Sequence, residues 1–373
     1  MLDAYRKVVN NLNANVPFSA AYPSADHLLD RVFKGHAVYG RASLNRTLSQ
    51  AAGELTRAED AVASFVDKLR VYSISDQDDT GVWIRQRYPQ LFVVSLHGWN
   101  EYTDAAWNGI SGEGYRHFDQ GGPESSLVSN EWLQQHIRIG PLGSHYLNWS
   151  FIMEGDTPSF LPLIQNGLGH IEHPDWGSWG GRFTLLDQTS QSRVYADATD
   201  YVQGLNGQGF ISKWATIWRW RQDYQYDFAA RMQWTNEPTF SKNNHAPIAI
   251  VNGSCGPSPL EIQYNPGDDV ILDASQSWDP DGDQLSFDWF HYREAGGRGL
   301  EGFTNGKEAY PRSKLTLVSQ ALNITNIHPN GSVVLLRTKD SINQTLNIIL
   351  TVRDSHALPV ATYRRVIMQP YES

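Results

Sequence analysis

At 373 residues the chain exceeds one ordinary domain and has room for a substantial core, so two domains are expected. Hydrophobic residues make up 40% of it with no run long enough to cross a bilayer and no basic amphipathic anchor, so a membrane is not an expected partner. A formal net charge of -10 and a pI near 5.6 give no general attraction to phosphate backbones, which removes nucleic acid as an expected partner.

Cys255 is the only cysteine, so no intrachain disulfide can form. Six N-x-[S/T] sequons, at Asn45, Asn148, Asn252, Asn323, Asn330 and Asn343, are compatible with a secretory route. The start, MLDAYRKVVNNLNANVPF, has charges where a signal peptide has an apolar core; the expectation is a cytoplasmic protein or a natural N-terminus missing from this chain.

In chain order, apolar residues at Leu2, Tyr5, Val8, Val9 and Leu12 keep a helical period, and Ser24 is a candidate N-cap for a helix ending at Gly35. Thr56 and Glu59 form a capping box for a helix with Ala61, Val62, Phe65 and Val66 on its apolar face. The β-branched and aromatic content of Leu69 to Ser75 predicts a strand, and Asp76-Gln77-Asp78-Asp79 follows directly. A WIRQRYP helix and a second strand, Leu91 to Leu96, complete a helix, strand, helix, strand order that predicts a parallel α/β sheet. Ligands bind beyond the carboxyl ends of such strands. That puts Asp76, Asp78 and Asp79 at the site edge, and a strand over Trp149 to Met153 brings Glu154 and Asp156 there too. From His97 to Gly143 the chain reads as a long irregular insertion, with one helix near Asn130 to Ile137.

The stretch FIMEGDTPSFLPLIQNGLGHIEHPDWGSWGGRF, Phe151 to Phe183, concentrates acids, His, Trp, Gly and Arg and suits a loop. A helical pattern follows in KWATIWRWRQDYQYDFAARMQWT, and Asn236 to Pro247 reads as an interdomain linker. Beyond it, IAIVN, LEIQYN, DVILDAS, LSFDWFHY, LTLVSQ, SVVLLRT, LNIILTVRD and YRRVIMQ alternate between turn signals at the spacing of an immunoglobulin-like β-sandwich.

The segments KLRVYSISDQDDTGVWIRQRYPQL, MEGDTPSFLPLIQNGL, HPDWGSWGGRF and DFAARMQW together resemble a family of secreted microbial proteins with a nucleoside-hydrolase-like domain, often labelled cellulose-binding proteins. PGDDVILDASQSWDPDGDQLSFDWFHYREAG, with the closing ILTVRD and YRRVIM, resembles that family's immunoglobulin-like C-terminal domain. The resemblance implies a nucleoside-hydrolase-like, Rossmann-type α/β domain over 1–240 and an all-β immunoglobulin-like sandwich over 241–373. It implies an extracellular protein that hydrolyses a glycosyl bond in a carbohydrate or nucleoside-like substrate, or alternatively binds carbohydrate without catalysis.

By the same resemblance Glu154 and Asp156 are catalytic candidates, and Asp78 joins them from its place beyond a predicted strand end. Asn45, at a resumed Asn-x-Thr-Leu helix start, joins His173, Trp176, Trp179 and Arg182 as substrate-binding candidates. Asp227 takes the place of a late metal-binding aspartate, with calcium the implied cofactor. The family opens on a strand ending in an aspartate cluster, and this chain begins after that region; a second piece is absent near Arg41 to Leu44. The calcium site is therefore expected to be incomplete.

The chemistry follows from an oxocarbenium-like transition state, which carboxylates stabilise while one of them activates water. Each residue also has a plain structural use. Asp156 is a candidate N-cap before Thr157-Pro158, Asp78 and Asp79 are candidate caps for the next helix, and Asp227 stands at pairing distance from Arg231 along a helix. WGSWGGR reads either as the wall of a sugar pocket or as a tight turn whose glycines admit close backbone approach and whose tryptophans fill core. Asp279-Pro280-Asp281-Gly282-Asp283 reads as a metal loop or, since its glycine is misplaced for an EF-hand, as an ordinary turn between strands.

Overall fold

A computed structural model of the protein describes residues 66–73, 85–86, 88–95, 106–111, 125–150, 153–154, 157–186, 189, 192–203, 209–295, 322–339 and 343–371. The helices expected from Leu2, Ser24 and Thr56 lie outside the described residues, except for a helical end at Val66 to Lys68. The Asp76 to Asp79 turn, the Arg41 to Leu44 region and the LTLVSQ run also lie outside them. The chain divides into two compact units, Met1–Ala105 with Thr184–Asp197 and Ala106–Phe183 with Ala198–Ser373. The boundary expected at 240/241 falls within the second.

The first unit carries the sheet expected from the alternating helix and strand signals. Its strands are β1 (Arg70–Ser73), β2 (Phe92–Ser95), β3 (Phe183–Leu185) and β4 (Val194–Asp197), in the order β1-β2-β4-β3. β1 and β2 run parallel with Arg70 opposite Phe92 and Ser73 opposite Ser95, and β2 runs parallel to β4 with Val93 opposite Val194. All four residues of β2 are buried, which is why it reads as a continuous apolar run and not an alternating one. The Phe92 ring lies against Tyr72 and Tyr195 from the flanking strands.

The second unit has a helical part and a strand-rich part. The helices are α1 (Asn130–His136), α2 (Gly140–Gly143), α3 (Thr157–Phe160), α4 (Ala215–Trp218) and α5 (Arg221–Asn236), with a hairpin of β5 (Asp200–Gln203) and β6 (Gly209–Ser212). Ser129 caps α1 by accepting from the Trp132 N–H at 3.1 Å. Leu133 and Ile137 pack on Ala229 and Met232 of α5, each buried aliphatic side chain stabilising by about 1.5–3 kcal/mol. α5 stops at Glu237 because Pro238 follows.

No strand forms at the described ends of the stretch Trp149 to Met153. Trp149 is instead held in irregular chain: its N–H donates to Asn130 Oδ1 at 3.2 Å and its indole to the Val128 carbonyl at 2.8 Å.

The strand-rich part adds β7 (Ile250–Val251), β8 (Ser254–Cys255), β9 (Leu260–Tyr264), β10 (Asp269–Asp273), β11 (Ser286–His291), β12 (Leu322–Asn326), β13 (Val333–Thr338), β14 (Leu346–Arg353) and β15 (Ala361–Pro370). One sheet has the order β10-β13-β12 and another β11-β14-β15-β9, the last pair parallel. Both sheets feed one apolar core, with Leu272, Val334 and Leu336 from the first and Trp289, Ile348, Leu350, Val352 and Val366 from the second. β12 is absent from the runs expected from sequence, because Leu322-Asn-Ile-Thr-Asn326 has few apolar residues and exposes three of its five.

The helical and strand-rich parts meet over a second core of Trp179, Ile217, Trp220, Tyr224, Tyr292, Ile349 and Tyr363. Two buried ionic clusters cross the same junction. Asp223 of α5 takes both Nε and Nη2 of Arg353, at 2.8 and 3.0 Å, and accepts from the Tyr363 hydroxyl. Asp200 accepts from Arg182 at 2.7 Å, Arg219 at 2.8 Å and the Tyr292 hydroxyl at 2.6 Å. The two arginines hold the Asp200 carboxyl below its usual range against the opposing effect of burial. The Asn236 to Pro247 stretch is packed at this junction, with the Trp234 indole donating to the Asn244 carbonyl at 2.9 Å.

Candidate functional site

Glu154 lies just after the apolar run and is half-buried. Its Oε1 accepts from the Tyr146 hydroxyl and its Oε2 from the Thr157 hydroxyl at 2.6 Å, so both oxygens are fixed by neutral donors and retain lone pairs. Its backbone is fixed too: Ser111 Oγ accepts from the Met153 N–H at 2.9 Å. Burial, and then the Glu154 charge, push the Tyr146 phenol well above its usual range, so it stays a donor at every physiological pH. Tyr146 and Ser111 gave no signal in the sequence, since they stand 8 and 43 residues from Glu154.

The loop after α3 brings His173 and Trp176 together. Their rings stack at 3.8 Å with an interplanar angle of 5°, and His170 closes the group at 5.2 Å from His173 and 5.5 Å from Trp176. All three are partly exposed. The Glu172 N–H donates to His170 Nδ1 at 3.3 Å, which leaves the neutral ring's proton on Nε2. Burial and the neighbouring His173 hold the His170 imidazole below its ordinary value, so it is neutral near pH 7. The His170/His173 spacing of three was the available sign of this grouping.

A buried guanidinium supports this loop from below. Arg365 of β15 donates to the Leu168 carbonyl at 3.0 and 2.7 Å, the Trp176 carbonyl at 2.9 Å, the Gly177 carbonyl at 3.3 Å and Asn347 Oδ1 at 2.9 Å. Its desolvation depresses its pKa to about 10, still a full charge at neutral pH. Gly177 has φ +83°, and a Cβ there would come within 2.5 Å of the Tyr292 hydroxyl, so the chain takes this course only with glycine.

Trp179 and Arg182, from the same loop, point elsewhere. Trp179 is 1% exposed, and its indole donates to the Tyr363 hydroxyl at 3.0 Å, so its ring offers no face to a sugar. Arg182 is buried on Asp200. The turn reading of WGSWGGR describes this end of the loop: Ser178 and Gly181 exchange backbone hydrogen bonds at 2.9 and 3.0 Å.

Asp227 is buried and bound by Arg231 through Nε at 2.6 Å and Nη2 at 3.2 Å, the helical pairing. Asn45, Asp78 and Asp156 lie outside the described residues. Glu154 makes no hydrogen bond or ion pair with His173, Trp176 or Asp227 among the described residues. Nor does any group of three or more His, Cys, Asp or Glu among the described residues suit a metal.

Residues 45–183 match the model of the nucleoside hydrolase-like domain of cellulose-binding Sde182, and residues 269–370 match that of the C-terminal domain of cellulose-binding protein Sde0182. None of the curated proteins matches the chain. A solved structure, described as a nucleoside hydrolase-related hypothetical protein from Saccharophagus degradans that is associated with carbohydrate metabolism, is similar at 26% identity and a TM-score of 0.59. The match covers 87% of this chain and 69% of that one. The chain therefore has a nucleoside-hydrolase-like fold with a strand-rich C-terminal region.

Proposed function

The chain joins, in order, the nucleoside hydrolase-like and C-terminal domains of the cellulose-binding Sde182 proteins, and from that premise we propose that it recognises a carbohydrate outside the cell and hydrolyses a glycosyl bond in it. The observation that carries this reading is Glu154, a half-buried carboxylate fixed by two hydroxyl donors, with lone pairs left for a sugar hydroxyl or for charge developing at the anomeric carbon. Asp156 and Asp78 are the proposed partners, one to activate water and the other to protonate the leaving group, since glycosyl transfer to water needs two carboxyl groups in opposite roles. Asn45 is a further proposed sugar contact on the family resemblance. The five sequons among the described residues, Asn148, Asn252, Asn323, Asn330 and Asn343, are all exposed, which supports an exported protein. Two sheets around one core support an immunoglobulin-like sandwich for the C-terminal region.

A second reading, carbohydrate binding without catalysis, is favoured by two specific observations. The His173 and Trp176 stack is a partly exposed aromatic platform of the kind that packs on sugar rings, with His170 Nε2 as a donor beside it. Asp227 is held by Arg231 through two hydrogen bonds. Assay of the purified full-length protein against polysaccharides and nucleosides separates the two. Hydrolysis predicts release of reducing sugar or free base that Glu154→Gln removes; release undiminished by that substitution takes Glu154 out of the mechanism. Retention on insoluble glycan without any release supports the binding reading.

A further inference from the structure

Every buried carboxylate discussed so far has an arginine: Asp200 has Arg182 and Arg219, Asp223 has Arg353, and Asp227 has Arg231. Two others do not. Asp279, 9% exposed, and Asp354, 3% exposed, have no cationic ion-pair partner among the described residues. Asp279 Oδ1 accepts from the N–H groups of Asp281 and Asp283 at 2.8 and 3.2 Å, while its Oδ2 is buried with no hydrogen-bond partner. Asp354, which follows β14, accepts from Val360 and His356 N–H groups and from Asn244 Nδ2 at 3.0 Å.

Asn244 contacts Asp354, and the residue after it contacts the Asp279 loop. Asn244 Nδ2 faces two acceptors, Asp354 Oδ2 and the Leu358 carbonyl, which fixes the amide's orientation and leaves Oδ1 buried and unpartnered on a residue 8% exposed. The next residue is clipped to the Asp279 loop, since the His245 N–H and Nδ1 both contact the Asp281 carboxylate, at 2.7 and 3.0 Å.

We propose that Asp279, Asp354 and Asn244 hold a calcium-class divalent cation that pins the stretch after α5 to the strand-rich part. Two carboxylates supply the matching charge, the Asn244 amide oxygen is a third hard ligand, and water completes the six to eight oxygens such an ion takes. A buried water can satisfy lone pairs but leaves both charges uncompensated. The site is independent of whether the protein hydrolyses anything.

The test is calorimetric titration of chelator-stripped full-length protein with CaCl2, paired with thermal unfolding in EDTA and in 10 mM calcium. The expected result is one ion per chain at a Kd of about 0.1–1 mM, a Tm higher by about 3–6 °C in calcium, and a weaker response to magnesium. Asp279→Asn, nearly isosteric, removes both binding and the Tm rise, and in EDTA is at least as stable as the parent because one uncompensated charge is gone. Asp288→Asn, an exposed charge removed elsewhere, leaves both intact. Absence of saturable binding with identical Tm values in calcium and EDTA overturns the proposal in favour of a buried water, and so does a calcium response that survives Asp279→Asn.

Discussion

Replacing Arg365 by methionine perturbs the support beneath the His170, His173 and Trp176 loop without touching an exposed atom of it. The substitution leaves four acceptors, the carbonyls of Leu168, Trp176 and Gly177 and Asn347 Oδ1, without their donor. At about 2 kcal/mol for each buried acceptor left unpaired, the cost is about 8 kcal/mol. Burying the guanidinium is itself unfavourable: a pKa pulled from the ordinary guanidinium range down to about 10 corresponds to about 3 kcal/mol that the substitution recovers. The net loss is about 5 kcal/mol, and it falls first on the loop, because three of the four acceptors are there. Urea unfolding reads the global loss, and hydrogen exchange of the amides from 166 to 178 reads the local one. A loss below about 1 kcal/mol, or unchanged protection across that loop, refutes the claim that Arg365 holds it.

Two tryptophans of the same loop are expected to part company. Trp179→Ala opens a cavity in the core beside Tyr224 and Tyr363 and costs about 3–5 kcal/mol in an unfolding titration, whereas Trp176→Ala leaves stability within about 1 kcal/mol and removes retention on glycan; equal stability losses contradict the assignment. Burial, with Arg293 adding to it, lowers the His291 imidazole from 6.5 to about 4, so the unfolded chain binds the extra proton between those values. Stability is then complete above pH 6.5 and falls by about 3 kcal/mol as pH drops toward 4, a slope that His291→Asn removes in urea midpoints measured against pH. Arg231→Ala removes both donors from the buried Asp227 carboxylate and costs about 1–3 kcal/mol in an unfolding titration, although Arg231 itself is half-exposed; the absence of any loss contradicts a structural role for this pair.

Local signals carried much of the fold. Short runs between turn signals located β9, β10, β11 and β14, and the Leu91 to Leu96 run located β2; β2 and β14 are buried throughout or nearly so. The Asp227 and Arg231 pairing was also local, one helical turn along α5. Long-range roles were hidden. Asp200 looks in sequence like any acid near a turn, and its partners Arg182, Arg219 and Tyr292 stand 18, 19 and 92 residues away. Trp179 between glycines reads as a ligand platform until Tyr363, 184 residues on, closes over it. The strand anticipated before Glu154 was drawn from an apolar stretch too short to tell strand from packed loop, and Asn130 supplied the hydrogen bond that settled its N-terminal end as irregular chain. The buried Asp279 read as one turn aspartate among three because its distinguishing feature, an oxygen without a donor, exists only in three dimensions.

Both readings, hydrolysis and binding, share one claim, that a carbohydrate is recognised, and the proposed platform for it is the His173 and Trp176 face. Side-chain NMR of His170 and His173 during titration with a soluble β-glucan oligosaccharide tests it most directly. The account predicts saturable shifts at both imidazoles, lost in Trp176→Ala and retained in Glu154→Gln. Saturable binding that leaves both imidazoles unmoved contradicts it.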